Sequence, residues 1–431
     1  IRADTLEEMF DVASLLAHQP LPKGKRVAIL TNAGGPGILC ADALEAEGLE
    51  LPMLTEESRR KLREFLPAAA SVGNPVDMIA SASADDYRRA LPILLDDPNV
   101  DAVVVIFIPT GAVDADAVGQ AVREGRAAAK TGRSKPLLAN FMATLGVNTP
   151  LAGEEEAIPS YRFPESAARA LARAVQYAEW RKKPEGVIPN HPDVDVKRGA
   201  AVVERALAER GEGWLLPHEV DELLSAFGIP TPPTRLCRTA EEAVRAAEEI
   251  GYPVVVKLAS RTLVHKTEWK GVQLDLKDAA AVRNAFETIA RNLEAAGRRE
   301  EMEGVTVQPM IKGGTEVMIG MTEDPSFGPL IAFGLGGVTV ELLGDVVFRI
   351  TPLTDVDARE MIRGIRGFKL LDGYRSTPKR DQEALADILL RVSRMVEEIE
   401  PIAEMDFNPV LVLDEGKGAV VLDARVMVRR S

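Results

Sequence analysis

The sequence predicts an α/β chain in two halves, a parallel-sheet half followed by a two-lobed α+β half. Three observations carry this reading. In residues 26–141 short apolar runs alternate with helical patterns, as in a parallel sheet covered on both faces. At 182–196 three prolines, a glycine and scattered charges break that rhythm and mark a linker. From residue 239 onward strands and Gly-bearing turns gather between flanking helices, the texture of antiparallel sheets.

The elements follow in order. RVAILTNA (26–33) reads as a buried strand and 36–48 as a helix. A second helix spans 55–66, with Thr55 as N-cap and Glu57 in the first turn. DAVVVIFIP (101–109) is a buried strand, 115–130 a helix and KPLLANF (135–141) a third strand, before a closing helix at 163–181. This half is flavodoxin-like. Beyond the linker, 197–228 reads as helical, interrupted around 211–217. Helix 239–250 leads to the strand PVVVKLAS (253–260), then GVQLDL (271–276), helix 279–296 and the strand VTVQPMI (305–311). Strands and glycine turns fill 316–353, and two helices fill 355–400. Two terminal strands carry EMDFNPVLVL (404–413) and AVVLDARVMV (419–428), so a cleft between two lobes is expected.

Composition excludes several classes. The 431 residues suggest about three domains at roughly 150 residues each. With 52 basic and 66 acidic side chains, the formal charge of −14 argues against a nonspecific nucleic-acid binder, which needs a basic surface. Cys40 and Cys237 stand far apart, which excludes a disulfide framework or a Cys-type zinc site and suits a reducing, cytoplasmic compartment. The longest apolar run, 102–109, falls far short of the roughly 18 residues of a membrane span, and no secretion leader is seen. The first residue is Ile1, so upstream residues are expected to be missing or removed.

Several residues are candidates for chemistry. Lys257 sits late in an apolar strand, where a buried ammonium needs an anion such as a phosphate; the alternative is a lysine snorkelling to the sheet edge. Asn408 and Asp423, on adjacent terminal strands, offer two hard oxygen ligands of the kind Mg²⁺ takes, or else cap strand ends as a polar pair. Glu404 and Asp406 add negative charge nearby. TNAGGPG (31–37) brings Asn32, Gly34, Gly35, Pro36 and Gly37 to a strand–helix turn, an anion site or merely a tight turn. It lacks both the dinucleotide spacing and the P-loop lysine. His265 in LVHKTEWKG is a solvated loop histidine or a nucleophile for a phosphoryl group; His18, His191 and His218 have no comparable neighbourhood. AFGLGG (332–337), with Arg349 in VVFRITPL, offers a second phosphate-embracing stretch.

These signals meet in one family. IRADTLEEMFD, LTNAGGPGILCADALEAEGLEL and VGNPVDM in the first half carry the likeness. So do LLPHEVDELLSAFGIPTP, PVVVKLASRTLVHKTEWKGVQL, VQPMIKGGTEVMIG, FGLGGVTVELLGDVVFR and EMDFNPVLVL with LDARV in the second. Over essentially its whole length the chain resembles the second part of an ADP-forming acyl-CoA synthetase, a relative of succinyl-CoA synthetase. The resemblance implies a succinyl-CoA-synthetase-type ligase domain at 1–181, a linker and helix at 182–212, and an ATP-grasp domain at 213–431 with its smaller lobe at about 235–305. It implies that Lys257 contacts the α/β-phosphates of ATP or ADP and that Gln308, Pro309, Met310 and Ile311 form a hinge beside adenine. Glu316 would hold the ribose, Arg349 would assist at the phosphates, and Asn408 and Asp423 would bind Mg²⁺. His265 matches the transiently phosphorylated histidine, and the helix opening at Gly34 would hold a phosphohistidine at its N-terminus.

The implied reaction interconverts acid, CoA and ATP with acyl-CoA, ADP and phosphate. Two departures stand out. The family also needs a CoA-binding domain and a neighbouring domain whose histidine often lies in a Ser-His-Thr-Gly stretch, and no such stretch occurs here. The chain is therefore expected to work with an N-terminal CoA-binding half, in cis or as a separate subunit, in an oligomeric assembly acting on a small carboxylic acid. Trp269 and Lys270 also replace the smaller residues expected ahead of Gly271. A different class resembles the same module, the ligand-sensing part of bacterial protein lysine acetyltransferases. No acetyltransferase segment is seen here, which weighs against it; a free-standing ATP-grasp ligase ranks last, for want of an acceptor site.

Overall fold

The computed structural model describes residues 1–109, 113–142, 151, 157–260, 262, 263, 266, 269–336, 344–375 and 377–430. The chain divides into two units, Ile1–Lys183 and Pro184–Ser431.

The first unit runs α1 (Leu6–His18), β1 (Val27–Thr31), α2 (Gly34–Ala46), α3 (Glu56–Arg63), β2 (Val76–Asp77) and α4 (Ala84–Asp96). It continues with β3 (Ala102–Phe107), α5 (Ala115–Ala128), β4 (Leu137–Phe141), β5 (Ser160–Tyr161) and α6 (Pro164–Lys182). The five strands are all parallel, in the order β2-β1-β3-β4-β5. Side chains alternate across a pleated strand, so each strand feeds two cores. Ala28, Leu30, Val103 and Val105 pack towards α3, α4 and α5. Val27, Ile29, Val104 and Ile106 pack towards α1, α2 and α6. Burial on both faces is why these strands read as unbroken apolar runs. The sequence reading omits α1, α4, β2 and β5. Helix α4 nevertheless opens with a capping box in which Ser83 and Asp86 satisfy each other's backbone N–H groups. The two-residue strands are too short for any periodicity.

The second unit opens with α7 (Val196–Arg210), β6 (Gly213–Trp214) and α8 (Pro217–Ala226). Helix α7 is part of this unit's core: Val202, Val203 and Ala206 are buried there. A Cβ at Gly199 would lie 2.6 Å from the Phe227 ring, so a glycine is needed where the helix crosses it. Next come β7 (Arg235–Cys237), α9 (Ala240–Ile250), β8 (Val254–Ala259), β9 (Val272–Leu276), α10 (Ala279–Ala295) and β10 (Gly304–Pro309). Their strands form an antiparallel sheet, β7-β10-β8-β9, whose core packs on α9 and α10. This is the small lobe.

The large lobe adds β11 (Thr315–Asp324), β12 (Gly328–Leu335), β13 (Val346–Ile350), α11 (Asp355–Gly364), α12 (Lys369–Asp372) and α13 (Gln382–Glu398). It ends with β14 (Ile402–Val412), β15 (Ala419–Val421) and β16 (Ala424–Val428). Its sheet runs β13-β12-β11-β14-β16-β6, with β15 paired to β14. Among the described residues no helix is long and apolar enough to cross a membrane.

Candidate functional site

Strand β8 sets the site by alternation. Val254, Val256 and Leu258 enter the small-lobe core, so Lys257 faces the opposite side, towards the large lobe. The Lys257 side chain is buried, 7% exposed, and its Nζ donates to the Leu422 carbonyl at 2.7 Å. Burial pulls the Lys257 pKa down to about 8, against the attraction of Asp423.

Asp423 follows β15 and precedes β16, facing Lys257. Lys266 Nζ donates to both its carboxylate oxygens, at 2.7 and 3.0 Å. Burial works to raise the Asp423 pKa; Lys266 and then Lys257 outweigh it, leaving the carboxyl below its ordinary range. Asn408 is its neighbour across the sheet: the Asn408 N–H donates to the Asp423 carbonyl at 3.1 Å, and the residue is exposed. Asp221 on α8 joins the group, with its pKa pushed up to about 6 by burial. A cavity of about 60 Å³ is lined by Asp221, Lys257, Lys266, Thr306, Gln308 and Asp423, among others.

The other expected residues distribute as follows. Gln308 is buried on β10 beside this cavity, and the Met310 N–H donates to the Pro253 carbonyl at 3.0 Å. Pro309, Met310 and Ile311 are half-buried where the small lobe hands over to the large one. Glu316 is exposed near the start of β11. Arg349 is apart from the cavity, on the edge strand β13, where it donates to Glu360 at 3.4 Å and to its neighbour's carbonyl, that of Phe348, at 3.1 Å. His265 and Gly337 lie outside the described residues. Asp406 is half-buried on β14 and Glu404 exposed.

In the first unit, α2 opens at Gly34 after Ala33, which supplies no side-chain cap, and no acidic residue stands in its first turn. Its leading N–H groups and dipole therefore favour an anion. Two of the glycines answer to close approach: a Cβ on Gly34 would meet Asp77 Oδ2 at 2.9 Å, and one on Gly37 would meet Thr31 Cγ2 at 3.1 Å. Pro36 is the third helical residue, where its missing N–H costs no intrahelical bond. The Asn32 side chain is engaged elsewhere, donating to the Ile108 carbonyl at 2.8 Å and accepting from the Ile108 N–H at 2.9 Å. Only main-chain groups of this turn are available to an anion.

Sequence reasoning missed three residues. Lys266 follows His265 in a polar loop and Asp221 stands on α8, and no local spacing singles out either one. Asp77 brings a carboxylate beside the α2 N-terminus, held by the Ile79 N–H at 2.9 Å. Only its place in the VGNPVDM block pointed to it. Trp269 has a structural account: it packs on the small-lobe core, and the Arg298 guanidinium lies 5.3 Å from its ring centroid.

The donor set suits a hard divalent cation completed by a substrate. Asp423 gives a carboxylate between β15 and β16 and Asn408 an amide on the adjoining β14, and among the described residues no group of three or more His, Cys, Asp or Glu is gathered for a metal. Mg²⁺ is held in that way, by one or two protein oxygens together with phosphates.

A parallel-sheet unit with an anion-ready helix, followed by a two-lobed unit with lysines and hard oxygens in its cleft, defines a ligase class. A Ligase-CoA domain model matches residues 27–174 and an ATP-grasp domain model matches 205–428. The chain belongs to the ADP-forming acyl-CoA synthetase family. It is 36% identical over 427 residues to 4-hydroxybutyrate–CoA ligase (ADP-forming) of Nitrosopumilus maritimus, covering 99% of this chain and 60% of that protein. It is 44% identical over 229 residues to the beta subunit of acetate–CoA ligase (ADP-forming) II of Pyrococcus furiosus, covering 53% of this chain and 97% of that subunit. Among solved structures, a chain of acetyl-coenzyme A synthetase 1 of Candidatus Korarchaeum cryptofilum, in complex with coenzyme A and Ca-AMPCP, matches at 42% identity. That match has a TM-score of 0.51 and covers 54% of this chain and all of that one. This chain thus spans about 60% of the length of the first of these relatives.

Proposed function

We propose that the chain is the nucleotide-binding and phosphoryl-transfer part of an ADP-forming acyl-CoA synthetase. Its reaction interconverts a small carboxylic acid, CoA and ATP with acyl-CoA, ADP and phosphate. The observation that carries this is a buried lysine, Lys257, brought together with Asp423 in one cleft of an ATP-grasp unit, with Asn408 bonded through its N–H to the Asp423 carbonyl. Lys257 donates to the phosphates, and a lysine that burial has partly stripped of water gains more from an anion than a solvated one. Gln308 to Ile311 border adenine through main-chain groups, Glu316 takes the ribose, and Arg349 assists once it releases Glu360. Asn408 and Asp423 hold Mg²⁺, which when bound supplies charge neutralisation at the phosphates.

His265 is the phosphoryl carrier of this reading. Its imidazole nitrogen attacks the γ-phosphorus of ATP, the bond to the bridging oxygen breaks, and ADP leaves with its phosphate intact. The α2 N-terminus, at Gly34 and Gly35, receives the phosphoryl group of a histidine from the CoA-binding half. That half joins in cis or as a separate subunit, in an oligomeric, cytoplasmic enzyme. The exposed Ile38 and Leu39 beside these glycines suit contact with an incoming loop, and two buried free cysteines suit a reducing compartment.

Incubation with Mg²⁺ and γ-labelled ATP tests the reading, wild type beside His265→Ala. Acid-labile, base-stable label is expected in the wild type and absent from the variant, with ADP affinity preserved. Label that survives in His265→Ala assigns the carrier elsewhere.

A further inference from the structure

We propose that Lys266 is an exchangeable counter-ion: it holds Asp423 until a divalent cation arrives with nucleotide, then turns to the phosphates. This rests on the reading of the cleft as a nucleotide site and adds a residue which that reading leaves without a role.

The geometry points to exchange. One ammonium serves both oxygens of Asp423, at 2.7 and 3.0 Å, and the two side chains are only 17% and 22% exposed. A cation taken up by Asp423 and the Lys266 ammonium compete for the same lone pairs. The lysine's main chain, by contrast, is anchored in its own lobe. Its carbonyl accepts from the Gly271 N–H at 2.8 Å and from the Trp269 N–H at 3.3 Å. A Cβ on Gly271 would lie 2.9 Å from that carbonyl oxygen, so glycine there keeps the anchor in place. A fixed backbone with a four-carbon stem lets the ammonium swing without the chain moving.

Size and charge make the exchange coupled. Lys257 and Lys266 reach from the small lobe to consecutive residues of the large lobe, the Leu422 carbonyl and the Asp423 carboxylate. The cavity they close holds about 60 Å³, far below the roughly 300 Å³ at which small-molecule pockets begin. Nucleotide entry therefore loosens these links. The cleft charges, Asp221 and Asp423 against Lys257 and Lys266, balance when all four are ionised. A cation arriving alone would strand the Lys266 ammonium in a largely buried place, at the cost of an unpaired charge. A cation arriving with a nucleoside diphosphate brings the anion that the displaced ammonium needs. Metal and nucleotide consequently bind in concert, and each raises the other's affinity.

The test uses the full chain with Mn²⁺ as the probe, its free concentration read by electron paramagnetic resonance without nucleotide. Lys266→Gln, which frees Asp423, is expected to tighten Mn²⁺ binding about tenfold or more, while weakening ADP binding about tenfold at saturating Mg²⁺. Lys266→Arg keeps the pair and should bind Mn²⁺ like the wild type. Unchanged or weaker Mn²⁺ binding by a folded Lys266→Gln overturns the proposal and leaves Lys266 a structural link. Should that variant not fold, ¹³C-lysine-labelled wild type decides. The Lys266 ε-methylene signal should shift with Mg²⁺ and ADP together and not with Mg²⁺ alone; any other pattern overturns the exchange. A wild type that binds no ADP at all removes the nucleotide reading itself, a distinguishable failure.

Discussion

Lys257 and Asp221 show how burial writes pH dependence into single residues. Lys257 has a pKa lowered to about 8 from 10.5. Between those values the unfolded chain binds the extra proton, so this group's contribution to stability rises with pH. Its contribution to phosphate binding runs the other way, because only the ammonium donates to an anion as a cation. ADP affinity, followed by calorimetric titration, should fall as pH rises through about 8, by at most about tenfold per pH unit. Lys257→Met should bind ADP about 10- to 100-fold more weakly and show a flat profile there. A wild-type profile that stays level to pH 9.5 removes Lys257 from the phosphates. Asp221 is the opposite case, its pKa raised from 3.8 to about 6 by burial. The folded state binds more protons between those values, so stability is lost as pH rises through them and stays lost above about 6. Asp221→Asn should therefore raise the melting temperature at pH 7.5, by the equivalent of about 1–3 kcal/mol, with the gain vanishing below about pH 4. Scanning calorimetry at the two pH values checks this, and equal gains at both would contradict the assigned cause.

At the scale of elements, α2 is the most exposed to test. Its first turn carries no acid, and Gly35 has open space where a Cβ would go. Gly35→Asp should stabilise the helix by about 0.3–1 kcal/mol through its dipole, while repelling any incoming phosphoryl group. Melting temperature should hold or rise as phosphoryl transfer from the CoA-binding half drops at least about tenfold. A parallel loss of stability would mean that the turn simply needs its glycine. What was legible beforehand follows the same physics. β1, β3 and β4 announce themselves because burial on both faces makes them continuous apolar runs, and β8 announces Lys257 because a charge breaks such a run. β2 and β5 span two residues each and have no pattern to read. Asp423 and Asn408 were legible as neighbours in the terminal strand region, an adjacency seen in the bond from the Asn408 N–H to the Asp423 carbonyl. Lys266 was not, since its partner lies 157 residues away and only folding brings them to 2.7 Å. Arg349 was read towards phosphate, whereas its nearest carboxylate partner is Glu360 on α11, a contact no local spacing reveals.

At the scale of the whole molecule, the chain divides into two units with separate interiors. Among the described residues two hydrophobic clusters lie wholly within Ile1–Lys183 and two wholly within Pro184–Ser431. Each unit therefore carries what it needs to fold. All members of the proposed nucleotide site, from Asp221 to Asp423, belong to the second unit, and the Pyrococcus furiosus relative is a separate subunit matched over 97% of its length by 229 residues of alignment. A chain of residues 184–431 alone should then melt cooperatively and bind ADP within about twofold of the full-length affinity, the margin expected for sites that do not share partners. It should also accept label from γ-labelled ATP at His265, since every residue the proposal assigns to that step belongs to the second unit. The first unit alone should bind no ADP, yet its α2 N-terminus should still be needed when the CoA-binding half is added. ADP affinity that falls more than about tenfold on removing residues 1–183 would show that the first unit completes the nucleotide site. Retained binding with lost labelling would instead place its contribution in the transfer step.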